Sequence, residues 1–139
     1  VNMYRIFILT DDTKLGQQLG LYTKKYCEQN GSFPILRQFE NSEEFCNALK
    51  TEKPTGVIIA LPGVAGLNAS ERLRLLCPNC GLIWYSDLDF SLQAYRLRAD
   101  YFFEYPPTTS NLCDGLSVWI KHGKARFKRT FSSEKRELL

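Results

Sequence analysis

Histidine is nearly absent from this chain of 139 residues: His122 stands alone. A Ser-His-Asp or Cys-His arrangement needs an imidazole beside its nucleophile. His122 falls at the far end of the last predicted helix, which excludes that chemistry at the sheet crevice expected below. A glycine-rich phosphate loop is missing too, since Pro62-Gly-Val-Ala-Gly66 has neither the lysine nor the hydroxyl of a P-loop. No apolar run approaches the roughly 20 residues of a membrane span. Val1-Asn-Met3 leads straight into a strand pattern, so no signal peptide is expected and the default location is cytoplasmic. Internal repeats and low-complexity segments are lacking, and no general acid–base pair is evident, so an enzyme is not expected.

What remains is ordinary for a soluble domain, with 44% apolar and 24% charged residues, and the length suits a single core. The charge is unevenly spread. Residues 121–139 hold seven Lys/Arg against two Glu, whereas residues 1–120 hold eleven against thirteen acids. We therefore divide the chain into a domain at 1–122 and a basic tail at 123–139. Within the tail, Phe127 and Phe131 interleave with cations. It reads as a linker toward another domain, with contact to nucleic acid or lipid as the alternative.

The five cysteines are an odd count in a chain without a secretory signal, which argues against a disulfide framework. Cys27, Cys46 and Cys113 lie in helical patterns and are expected to be reduced and mostly buried. Cys77-Pro-Asn-Cys80-Gly81 leaves three readings open: loop thiols, half of a zinc site, or a redox pair. Zinc needs two further ligands. A redox pair is usually placed at a helix N-terminus, whereas this motif ends a helix.

Strand and helix patterns alternate along the chain. The apolar run 4–10 is followed by a helical face over 12–29 carrying Leu15, Leu19, Tyr22 and Tyr26. Residues 33–39 form a strand that Pro34 marks as an edge. Asn41-Ser-Glu-Glu44 resembles a helix cap, and Phe45, Ala48 and Leu49 supply that helix's apolar side. The unbroken run Val57–Leu61 suits a central parallel strand. Pro62 to Gly66 is a loop, 68–77 a helix with Leu73 and Leu76 facing in, and 82–86 a strand. Residues 89–98 form a helix with Phe90, Ala94 and Leu97, and 101–105 the last strand. Thr109 or Ser110 caps a final helix bearing Leu112, Leu116, Trp119 and Ile120, closed by Gly123. Five β-α units imply a parallel sheet covered on both faces. The best match is a flavodoxin-like α/β/α sandwich with sheet order 2-1-3-4-5.

The pair Asp11–Asp12 stands at the C-terminal end of the first strand, where open α/β sheets bind ligands. Adjacent carboxylates repel, so they need a cation, a hydrogen-bond donor or open solvent. Asp12 can cap the following helix while Asp11 faces water, or the two can hold a metal.

Over residues 4–120 the chain resembles the receiver domain of bacterial two-component response regulators, in the flavour that precedes LytTR-type DNA-binding domains. The resemblance rests on the order and spacing of Ile6-Phe-Ile-Leu-Thr-Asp-Asp12, Phe39-Glu-Asn-Ser-Glu-Glu-Phe45, Pro62-Gly63 with Gly66, Ser86-Asp-Leu-Asp-Phe-Ser-Leu-Gln-Ala94 and Arg98-Ala-Asp-Tyr-Phe-Phe-Glu-Tyr-Pro106. It implies that Asp11 and Asp12 match the Mg²⁺-binding acids of a phosphorelay domain, Ser86 the hydroxyl after the fourth strand, and Phe102 the aromatic switch. The phosphate-accepting carboxylate falls on Ala60, and 61–70 contains no Asp or Glu. The family's lysine falls on Tyr105, or on Glu104 one register away; neither is a cation. Tyr105–Pro106 is expected to be cis, as the family's lysine–proline bond commonly is.

The resemblance thus implies a pseudo-receiver with a vestigial pocket at Asp11, Asp12, Ala60, Ser86 and Tyr105, which binds Mg²⁺ weakly or not at all. Its expected role is contact with a protein partner or with itself, as a dimer through the fourth helix, fifth strand and fifth helix. Tyr95, Arg96, Arg98, Phe102, Glu104, Asn111, Asp114 and Ser117 map there. Transcription control would come through DNA contact by a downstream domain absent from this chain. The alternative is a sensor of a small ligand, metal or redox state, using the acidic pocket or Cys77 and Cys80.

Overall fold

The computed structural model describes residues 4–122. The basic tail and the expected helix stop at Gly123 lie outside the described residues. The elements, in chain order, are β1 (Arg5–Leu9), α1 (Thr13–Gln29), β2 (Ile35–Phe39), α2 (Ser42–Thr51), β3 (Gly56–Ala60), α3 (Val64–Leu76), β4 (Gly81–Ser86), α4 (Ser91–Arg96), β5 (Tyr101–Glu104) and α5 (Thr109–His122). The five strands form one parallel sheet in the order β2-β1-β3-β4-β5. This is the flavodoxin-like arrangement expected from the alternating patterns.

Alternation along each strand makes two cores. Phe7, Leu9, Val57, Ile59, Leu82 and Trp84 pack on one face with Phe45, Leu49 and Leu73 from α2 and α3. Ile6, Ile8, Ile58, Ala60, Ile83 and Tyr85 pack on the other with Leu19 of α1 and Leu112, Leu116 and Trp119 of α5. β3 is buried throughout and β4 likewise, as central parallel strands should be. β2 lies at the edge beside Pro34 and is mostly accessible. Each large side chain fully removed from water contributes about 1.5–3 kcal/mol before entropy.

Helix starts differ from the sequence expectation at α4, which runs Ser91–Arg96 rather than 89–98, and at two further places. α3 begins at Val64, not at 68, because Gly63 turns the chain with φ 74° and ψ −161° and lets the helix start early. At α5 the cap is Thr108 rather than Thr109 or Ser110. Its Oγ1 accepts the Asn111 N–H at 3.2 Å, while Asn111 Oδ1 accepts the Thr108 N–H at 3.1 Å. Asn41 caps α2, its side chain accepting the Glu44 N–H at 2.8 Å.

At the opposite end of the sheet from the acid pair, Asp100 is buried and joins β4 to α5. Its Oδ2 accepts the Trp119 indole N–H at 2.7 Å and the Leu82 N–H at 3.1 Å. The indole lies against Gly56 and Gly81, where any Cβ would come within 3 Å of it.

Candidate functional site

Because the strands are parallel, their C-terminal ends share one edge, and the loops after β1, β3, β4 and β5 meet there. Asp11 and Asp12 are both exposed at this edge. Asp12 is the N-cap of α1, with Oδ1 accepting the Leu15 N–H at 3.1 Å. The capping that the sequence suggested for Asp12 is therefore present.

Ala60, the last residue of β3, is fully buried and pairs with Tyr85 of β4. Its methyl group belongs to the core against α1 and α5 and offers no oxygen to the crevice. Ser86 is buried at the end of β4, and its Oγ accepts the Leu88 N–H at 3.1 Å, which shapes the β4–α4 loop. Tyr105 follows β5 and is joined to Pro106 by a cis peptide bond, as expected. Burial, and then the carboxylates of Asp12, Asp11 and Asp87, hold the Tyr105 phenol above its ordinary pKa. At neutral pH it is an uncharged group facing anions, in the place where the resemblance implies a cation.

Asp87 was not among the predicted site residues. It leaves β4 directly after Ser86 and accepts the Gly63 N–H at 2.7 Å, tying the β4–α4 loop to the β3–α3 loop. The signal was present in the sequence, since a carboxylate next to a predicted strand end belongs to the same edge as Asp11 and Asp12. Asp87 comes from the loop after β4 and does not replace an acceptor at the end of β3.

Toward Mg²⁺, which takes near-octahedral oxygen coordination, this edge presents the exposed carboxylates of Asp11 and Asp12. One Asp12 oxygen is engaged by a backbone N–H, Ala60 supplies none, and no group of three or more His, Cys, Asp or Glu residues able to hold a metal occurs among the described residues. Cys77 and Cys80 lie at the other end of the molecule, on the turn between α3 and β4, with no such group around them.

Phe102 is half-buried on β5, with its ring edge-on to Trp84 at 4.9 Å and 67°. On the neighbouring face Tyr95, Arg96, Arg98, Glu104 and Asp114 are exposed, while Asn111 and Ser117 are half-buried. Asn111 is engaged inward, accepting the Tyr85 hydroxyl at 2.9 Å.

The fold is shared with solved receiver domains. The chain is similar to the response regulator DrrB, a Thermotoga maritima OmpR/PhoB homolog, at 18% identity and TM-score 0.65, covering 88% of this chain and 55% of that one. It is similar to a CheY-like receiver domain protein from Methanospirillum hungatei JF-1 at 20% identity and TM-score 0.66, covering 87% and 96%. The Francisella response regulator 1452 receiver domain gives 20% identity and TM-score 0.66, covering 87% and 99%. The likeness is one of fold. No protein-family model matches the chain, and no curated protein matches it.

Proposed function

We propose that this domain is a pseudo-receiver, a signalling module of the two-component type that works without phosphorylation. The observation that carries this reading is Ala60, an apolar side chain sealed in the core at the end of β3. A methyl group cannot form an acyl phosphate, and no Asp or Glu occurs over 61–70 to take its place. Tyr105 adds to it, because an uncharged phenol stands beside Asp11, Asp12 and Asp87 at the position where the resemblance implies the cation that meets a phosphoryl group. We assign the domain no catalysis of its own and a cytoplasmic setting. Among the described residues no helix is long and apolar enough to cross a membrane.

Its output, on this reading, is protein–protein contact. Leu92 and Tyr95 are 57% and 47% exposed on α4, with Arg96, Arg98 and Glu104 around them. A mixed apolar and charged surface of this kind suits a symmetric dimer in which each contact is made twice. The chain spans 55% of DrrB, which leaves room for an output domain of the transcription-regulating kind beyond it. LytTR flavour is carried by the sequence blocks alone.

Two measurements test this. Beryllofluoride with Mg²⁺ should leave the amide NMR shifts around residues 60, 86 and 105 unchanged, and a saturable shift there refutes the reading. Light scattering should show a concentration-dependent dimer that Tyr95→Glu weakens. A monomer at all concentrations removes the self-association part.

A further inference from the structure

Cys77 and Cys80 bracket a turn through Pro78 and Asn79. A four-residue turn brings its end Cα atoms within about 7 Å, the span a disulfide bridges. Cys77 is the C-cap of α3, its N–H donating to Leu73 O at 2.6 Å. Cys80 is the more deeply buried of the two, with its sulfur 3.6 Å from Cys77 O and 3.6 Å from Arg74 Nη1. Both cysteines line a cavity of about 350 Å³, together with Lys53, Pro54 and Leu76.

A helix C-terminus by itself opposes a thiolate, since its carbonyls carry partial negative charge. Here those carbonyls are covered. Lys53 Nζ donates to Leu49 O and Leu76 O at 2.8 Å each, capping the ends of α2 and α3 beside the cavity. The Arg74 guanidinium donates to Cys80 O at 2.7 Å, Pro78 O at 3.3 Å and Cys77 O at 3.4 Å. Donation from the Cys80 thiol, followed by Lys53, the Cys80 backbone and Arg74, lowers the Cys77 pKa against the opposing effect of burial. Cys80 moves the other way, because it donates to Cys77 and is buried. One sulfur is prepared to attack, and its neighbour keeps its proton until called on.

We propose that Cys77 and Cys80 are a redox-active dithiol, oxidised by thiol–disulfide exchange with a low-molecular-weight disulfide that enters the cavity at Cys77, and that the oxidised state is read at the α4–β5 connection. The Cys77 thiolate attacks one sulfur of the incoming disulfide, forming a Cys77 mixed disulfide and expelling one small thiolate. Loss of the Cys77 charge removes the main influence that kept Cys80 protonated. Cys80 then releases its proton to solvent and attacks the Cys77 sulfur. A Cys77–Cys80 disulfide forms and the second small thiolate leaves. The external disulfide is reduced by two electrons and the dithiol is oxidised by two.

The link to the rest of the fold is Arg74. Besides the three carbonyls of the cysteine turn, it donates to Leu97 O at 2.6 Å and Arg98 O at 3.1 Å, both between α4 and β5. Arg98, whose φ is 58°, returns a bond to Pro78 O at 3.0 Å. Closing the disulfide changes the carbonyl positions that Arg74 and Arg98 hold, and so moves the segment beside the proposed contact face. This goes beyond the proposed function and does not depend on how Ala60 is read.

The test uses the full reduced chain and oxidised glutathione, with alkylation of the remaining thiols and peptide mass mapping. The expected product is an internal Cys77–Cys80 disulfide with Cys27 and Cys46 still alkylatable. Cys80→Ser should trap a glutathione adduct on Cys77, formed about tenfold faster at pH 7 than on the half-buried Cys113. Cys77→Ser should leave Cys80 unmodified. Oxidation of the wild type should shift the amide signals of residues 97–101, and Arg74→Gln should reduce that shift without slowing disulfide formation. Equal or faster modification of Cys113 overturns the proposal. So does a stable zinc complex of the pair that blocks exchange. Disulfide formation without any shift at 97–101 overturns the coupling to α4–β5.

Discussion

Replacing Trp119 by phenylalanine should destabilise the fold through one identifiable bond and one identifiable void. The indole is 2% exposed, closes over Gly56 and Gly81, and donates its N–H to Asp100 Oδ2 at 2.7 Å. Phenylalanine keeps the six-membered ring but loses the donor and part of the volume. Leaving a buried carboxylate short of one donor costs about 1–3 kcal/mol. The partly filled space adds about 1 kcal/mol or more. The sum is about 2–4 kcal/mol, which at a urea m-value of about 2 kcal/mol/M lowers the midpoint by about 1–2 M. Trp84 remains as the fluorescent reporter, because it is buried in the other core. A double-mutant cycle with Asp100→Ala, which removes the acceptor, isolates the bond and should give a coupling of about 1 kcal/mol. A midpoint within error of the wild type, or additive single effects, refutes the account of how α5 is fixed to the sheet.

Gly81→Ala should destabilise by about 1–3 kcal/mol in the same urea titration, since the new Cβ meets the indole at 2.5 Å and Asp100 at 2.8 Å; a neutral effect contradicts that packing. Because the folded state lowers the Cys77 pKa to about 6, the unfolded chain binds more protons between there and the ordinary thiol value of about 8.5. Stability should therefore rise with pH across that window and be lost as pH falls through 6, and Cys77→Ser should flatten the slope. An unchanged slope in the variant contradicts the assignment. Tyr105→Lys puts a cation among Asp11, Asp12 and Asp87 and should make stability less responsive to raising NaCl from about 0.05 to about 0.5 M, by a few tenths of a kcal/mol. An identical salt response in both proteins places Tyr105 away from those acids.

The periodicity of the chain was enough to place all five strands, because fully buried strands such as Gly56–Ala60 and edge strands such as Ile35–Phe39 leave different patterns, while the sheet order came from the crossover rule and the flavodoxin-like match. The family resemblance implied that Tyr105 shares a pocket with Asp11 and Asp12, and the structure brings the three together. The grip of Asp87 on the Gly63 N–H was not legible, since it joins two loops that are 24 residues apart in sequence. Nor was the early start of α3, which depends on a glycine adopting positive φ where a loop was expected to continue. Arg74 escaped notice for a similar reason. An arginine in a helix usually points to solvent, and its carbonyl partners around Cys77 and Leu97 converge only once α3, α4 and β5 are in place.

The central claim is that the end of β3 offers nothing to phosphorylate. Intact-mass and peptide spectra of the full chain, recorded after prolonged incubation with acetyl phosphate and Mg²⁺ and reductive trapping of any acyl phosphate, address it directly. The account predicts an unmodified chain, including at Asp11, Asp12 and Asp87. An aspartyl phosphate at any of these carboxylates contradicts it.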